Sequence, residues 1–180
     1  MNTRSLLSTA LWTAIAPTAL VAHAQSEAPK TFPVGGLTFT RPAEWNWVAV
    51  NSPMRKAQLA VPGIDPSKVA EITFFHFGQG GGGDIESNSR RWLGQFKGAP
   101  SAEKVETKQI GGRKVTLVTT EGTYATGMPG ANAAPMENYA LLGAIIEDAG
   151  GNVFVKMTGP KATVQAANAK FMEFLGGVKP

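Results

Sequence analysis

The sequence predicts an α+β domain: a central antiparallel sheet of about 6–8 strands, with two main helices at about 84–97 and 161–175 packed on it. Three observations carry this expectation. Most of the chain from residue 35 onward consists of short β-branched and aromatic runs punctuated by Gly, Pro and Asn. Two segments switch to helical spacing of their apolar residues. Neighbouring runs are joined by Gly-Gly connections, too short for the crossover that a parallel pair requires.

Taken in order, Gln25 to Pro33 is polar and proline-containing and reads as part of a flexible leader spanning 25–34. Leu37-Thr38-Phe39-Thr40 alternates and stops at Pro42, and Trp45 to Val50 ends at Asn51-Ser52-Pro53. Arg55 to Val61 closes at Pro62-Gly63. Ala70 to Phe77 is the strongest strand candidate, too short for a helix and followed by glycines. Asp84 then serves as an N-cap, with Ile85, Trp92 and Phe96 at helical spacing and a stop at Gly98 and Pro100. Lys104 to Ile110 and Arg113 to Thr120 form a hairpin across Gly111-Gly112, whose glycines supply the positive φ of a tight turn. After a long loop, Tyr139 to Glu147 and Val153 to Thr158 pair through Gly150-Gly151. Gly159-Pro160 opens the last helix, whose stripe is Val164, Ala167, Phe171 and Phe174.

The first 24 residues read as a secretory signal: Arg4 is their only charge, an apolar stretch runs from Leu6 to Val21, and Ala22-His23-Ala24 is a small-x-small cleavage pattern. Cleavage after Ala24 removes Arg4 and no acid, leaving 16 basic against 13 acidic residues. The expected address is outside the cytoplasm, periplasmic in a Gram-negative cell and secreted otherwise, with no stable membrane insertion after cleavage. An uncleaved anchor is the alternative. With no cysteine in the chain there is no acylation site, no disulfide framework and no thiol nucleophile. A hydrophobic fraction of 43% against a net charge of +4 excludes a disordered chain. The basic pairs are scattered rather than gathered in a stripe, so no nucleic-acid partner is expected. Residues 35–180 then form one domain, expected to be a monomer.

The closing stretch Phe154-Val155-Lys156-Met157-Thr158-Gly159-Pro160, followed by an Ala-rich helix with Phe171 and Phe174, resembles the end of the PsbP-like fold of the extrinsic photosystem subunit. The chain is also similar to a broad group of uncharacterised exported bacterial proteins. Those share Met-Arg-Lys-Ala, here Met54 to Ala57, and a Gly-rich strand exit before Arg-Trp-x-Gly-Gln, here Arg91 to Gln95. The resemblance covers most of residues 35 to 178. It implies a central antiparallel sheet flanked by helices, in a binding or assembly role. It implies neither the photosynthetic role nor a metal site, since the mature chain holds only His76.

Candidate chemistry concentrates in two segments. Gly78-Gln79-Gly80-Gly81-Gly82-Gly83 fits G-x-G-x-x-G between a strand and a helix, and its bare amides make a credible anion nest close to Arg90 and Arg91. Against this, Asp84 is positioned to occupy those amides, and a hairpin follows where a dinucleotide site needs a second parallel strand. A flexible connector is the competing reading. Thr123 to Asn138 is the second segment: ten of its 16 residues are Ala, Gly, Pro or Met, and Met128 and Met136 offer adaptable apolar contacts to a partner. A disordered surface loop is the alternative there.

Elsewhere the residues point to structure. A lone His76 makes no ordinary zinc site. Asp84 with Glu86, and Glu147 with Asp148, read as capping and solvated acids rather than an acid–base pair. No G-x-S-x-G elbow exists. Trp45, Trp47 and Trp92 read as core. No catalytic residue, cofactor or metal is assigned. The expected function is therefore an exported, non-enzymatic binding or assembly domain for a protein or envelope component. Its candidate contacts are Gly78, Gly80, Gly81, Gly83, Arg90, Arg91, Met128 and Met136. The alternative is a small-molecule or anion-binding protein, conceivably an enzyme, with its site at the Gly-rich loop.

Overall fold

Most of the long strands from residue 70 onward are buried in near-continuous runs, the pattern of a sheet covered on both faces over much of its area. The computed structural model describes residues 28–97, 102–125 and 134–180. In chain order its elements are β1 (Thr31–Val34), β2 (Leu37–Thr40), β3 (Asn46–Trp47), β4 (Arg55–Val61), β5 (Ala70–His76), α1 (Ile85–Leu93), β6 (Phe96–Lys97), β7 (Lys104–Ile110), β8 (Arg113–Tyr124), β9 (Met136–Ile146), β10 (Val153–Pro160) and α2 (Lys161–Gly176). Eight strands form one sheet in the order β3-β4-β5-β10-β9-β8-β6, with β7 also on β8, and every pairing in it is antiparallel. The expected α+β class and antiparallel sheet hold.

Successive side chains along a strand point to opposite faces of the sheet, so each strand feeds two cores. On one face, Ile72, Phe74, Val155 and Met157 pack beneath α2 and the separate β1–β2 ribbon, with Phe171, Phe174 and Trp45 closing the layer. On the other, Leu141, Ile145 and Phe154 pack beneath α1 through Trp92. Gly143 is what lets α1 come this close: a Cβ there would meet the Trp92 ring at Cε3, 2.6 Å away.

Several expected boundaries are corrected. Residues 31–34 of the predicted leader are strand β1, paired with β2 and burying Phe32 and Val34. Alternation in Thr-Phe-Pro-Val puts Pro33 on the exposed side of a two-stranded ribbon, where its missing N–H is tolerated. The Arg41 guanidinium fastens the ribbon's entry by donating to the Pro29 carbonyl at 3.0 Å and the Trp45 carbonyl at 2.6 Å. The first helix stops at Leu93 rather than 97, because Gly94 is a poor helix former and Phe96 leaves to pair with β8 and stack near Tyr124 at 4.8 Å. The strand expected at 45–50 shrinks to Asn46–Trp47. The predicted loop 123–138 loses both ends, since β8 runs to Tyr124 and β9 begins at Met136. Met128 lies outside the described residues, as does the predicted signal.

Candidate functional site

α1 has nine residues and covers only part of its face of the sheet. Among the described residues, the remainder of that face forms a cleft of about 480 Å³ over β4, β5, β10, β9 and β8. Lys156 projects from the middle of β10 into it, on the face shared with Phe154 and Thr158. The Lys156 residue is only 9% exposed. Its ammonium donates to Gln95 Oε1 and, at 3.2 Å, to the Tyr124 hydroxyl, and lies 5.1 Å from the centre of the Tyr124 ring. Both hydrogen-bond partners are neutral.

The cation is therefore under strain from desolvation. Burial pushes its pKa down from 10.5 to about 8; Glu71 pulls it up, while Arg91 and Arg55 push it further down. Burial likewise raises the Tyr124 phenol above its ordinary value. Glu71 is committed elsewhere: Arg55 pairs with it at 3.2 Å, and Gln58 bridges the two by accepting from Arg55 at 2.7 Å and donating to Glu71 at 2.8 Å. Lined by Lys156 and Arg55 against Glu71 alone, the cleft carries an excess of positive charge.

Two irregularities in the sheet aim residues into this space. Opposite β5, Arg55 pairs with Phe75 while Ala57 pairs with Phe74, so Lys56 is an extra residue and Arg55 turns to the cleft face. Opposite β8, Gly122 pairs with Tyr139 while Tyr124 pairs with Met136, leaving an extra residue on β9 where Asn138 takes φ +56°. Met136 is thereby brought onto the cleft wall beside Tyr124 and Tyr139.

A second, smaller hollow of about 230 Å³ adjoins the first and shares Phe75, Gln95 and Lys156 with it. Its other walls are Met54, Phe77, Arg91, Trp92 and Phe154. Of the residues that the sequence singles out, Arg91 from α1 lines the smaller hollow and Met136 from β9 the larger, while Gly78, Gly80, Gly81 and Gly83 are in the lining of neither. Arg90 instead points to solvent and pairs with Glu86 at 3.2 Å.

The Gly-rich loop is a packed connector. Gly78, Gly80 and Gly83 take positive φ, and a Cβ on Gly82 would strike Phe77 at 2.7 Å and Phe154 at 2.9 Å. Gly81 closes a turn by donating to the Gly78 carbonyl at 3.1 Å. The start of α1 is occupied by its own side chains: Asp84 accepts from the Ser87 amide at 2.7 Å, and Asn88 donates to the Gly82 and Asp84 carbonyls. A larger cavity of about 610 Å³ lies at the start of α2, but its Lys161 is paired with Glu121 at 2.6 Å and its Thr163 hydroxyl donates to the Lys68 carbonyl at 2.7 Å.

His76 lies on the face of Ile72 and Phe74, as alternation predicts, with Nε2 3.2 Å from the Gly150 carbonyl. Among the described residues no three His, Asp or Glu side chains are gathered as a metal site, and no helix is long and apolar enough to cross a membrane.

Sequence reasoning missed Lys156, Arg55, Gln95 and Tyr124. For Lys156 a signal was present: a lysine interrupts the apolar run Val153 to Met157 in what reads as a buried strand.

No family model matches the chain, and no curated protein does. Among solved structures, cyanobacterial PsbP from Synechocystis is similar with a TM-score of 0.51 at 11% identity, covering 81% of this chain and 86% of that one. A Pseudomonas aeruginosa protein of unknown function, a putative regulator, gives 0.46 at 13% identity, over 83% of this chain and 95% of its own. Mycobacterium tuberculosis LpqN, involved in cell envelope biogenesis, gives 0.47 at 12% identity, over 80% and 83%. At these identities the likeness concerns the fold.

Proposed function

From the premise of a PsbP-like fold, we propose that this chain is an exported, non-enzymatic binding domain whose ligand is anionic and seats in the cleft over Lys156. One observation carries the reading: a buried ammonium whose hydrogen-bond partners among the described residues are all neutral. Withdrawing a cation from water is costly unless an opposite charge compensates, and the one carboxylate lining the cleft is already paired with Arg55. An incoming carboxylate or phosphate supplies that compensation, with Gln95 and Tyr124 holding the ammonium in place. The export half of the reading rests on residues 1–24.

Ligands that bind only the folded state raise its melting temperature. Near neutral pH, millimolar acetate, benzoate or phosphate should raise the Tm of the wild-type protein beyond an equal ionic strength of chloride. Lys156→Met should remove the increment. Equal shifts in both proteins would show that the anions act on the general surface and would end the assignment.

A further inference from the structure

We infer that the ligand is an amphiphilic monocarboxylic acid, its head at Lys156 and its hydrocarbon tail along the aromatic wall of the adjoining hollow. This rests on the anion-binding reading above and adds the part of the ligand that no charge explains. Phe75 of β5 and Phe77, just past its end, have rings 6.4 Å apart and nearly parallel, at 10°. Phe154 and Trp92 continue the wall, at 6.1 Å from Phe77 and 6.4 Å from Phe154 respectively. The wall is open on one side: Phe77 is 40% exposed and Met54, at its rim, 58%. Large apolar side chains left uncovered beside a pocket, rather than scattered singly, mark a ligand surface.

The junction decides the polarity of the occupant. Lys156 lines both hollows, together with Phe75 and Gln95. A head group that neutralises the ammonium therefore has an apolar channel on one side and a polar chamber, with Thr73, Tyr124 and Tyr139, on the other. A short inorganic anion fills the charge but leaves the wall wet. A neutral alcohol of the same length covers the wall but leaves the charge. An acid with a tail does both, and apolar pockets with a few convergent polar groups are the usual form of small-ligand sites. Arg91 at the rim of the apolar hollow adds to the field that draws the acid in.

The test is calorimetric titration of the purified protein with decanoate, decanol and acetate near pH 7. Decanoate is expected to bind at least tenfold tighter than either of the others. Lys156→Met should erase the advantage of decanoate over decanol. Phe77→Ser, at a position 40% exposed, should keep a cooperative thermal unfolding transition, weaken decanoate severalfold and leave acetate unchanged. Raising the pH through about 8 should weaken decanoate as the ammonium loses its proton. If acetate and decanoate bind alike, the anion site stands and the amphiphile is overturned. If no acid binds, both readings fail together. Decanol binding as tightly as decanoate also overturns the inference. So does sedimentation with phosphatidylglycerol vesicles without binding of monomeric decanoate, which would make the source a lipid surface.

Discussion

Lys156 is the residue at which burial weighs most plainly against stability. Its pKa in the folded protein is about 8, below the ordinary 10.5, so between those values the unfolded chain binds the proton more tightly. The sign follows from linkage: stability rises with pH wherever the unfolded state holds more protons. Below pH about 8 both states are protonated and the burial penalty is fully present; between about 8 and 10.5 it is relieved. With about 1.4 kcal/mol for each pH unit, the relief amounts to roughly 3 kcal/mol over that window. Urea unfolding near neutral pH and again at pH 9.5 should show the wild type gaining stability relative to Lys156→Met. Parallel changes in the two proteins would mean that the ammonium is not desolvated. Gly143 is the other residue under tight constraint. A methyl group there meets Trp92, held between α1 and the sheet, so Gly143→Ala should lower the unfolding free energy by about 3 kcal/mol, at the upper end of overpacking costs. A loss below about 0.5 kcal/mol would show that α1 shifts freely.

Among the elements, the β1–β2 ribbon is the one whose importance exceeds its length. Four residues from each strand put Phe32, Val34, Leu37 and Phe39 into the core, with the Phe32 ring 5.6 Å from Phe39 and 5.1 Å from Phe74. Phe32→Ala should cost about 3 kcal/mol, as for other large-to-small core changes, measured by chemical denaturation. A flexible leader would give no loss. The ribbon escapes sequence reading because Pro33 and the polar run before it mask a two-residue alternation only four positions long. The bulges on β4 and β9 escape for a related reason. Alternation assumes one residue per pleat, and a single extra residue carries the following side chains to the opposite face. Arg55 and Met136 therefore face the cleft although regular alternation from Ala57 and Tyr139 would turn them away. The helices were easier. Asp84 caps α1 and the stripe of α2 packs as its spacing requires, because both signals are local.

For the molecule as a whole, the asymmetry of its two faces is the organising fact. One face is sealed by α2 and the ribbon; on the other, among the described residues, α1 covers part of the sheet and leaves a charged cleft beside it. The first described strand begins at Thr31, after the cleavage site that the sequence predicts. The exported form is expected to start at Gln25, with the melting temperature of a chain produced without the leader. Mass spectrometry of the extracytoplasmic fraction checks the terminus, and an unprocessed Met1 start there would contradict it.

Periodicity, punctuation and Gly-Gly connections determined by themselves that this chain makes an antiparallel sheet with two helices, because those signals act over two to four residues and need no knowledge of distant partners. The strongest local motif, the Gly-rich loop, was legible too, and it is a connector with its helix start already capped. What only the tertiary structure decided is the cleft. Lys156, Gln95, Tyr124 and Arg55 are separated by tens of residues in the chain, and their meeting depends on strand order and on two one-residue bulges. A lysine in an apolar strand signals something unusual at its own position; which groups surround it is set by pairings that no short stretch of sequence contains.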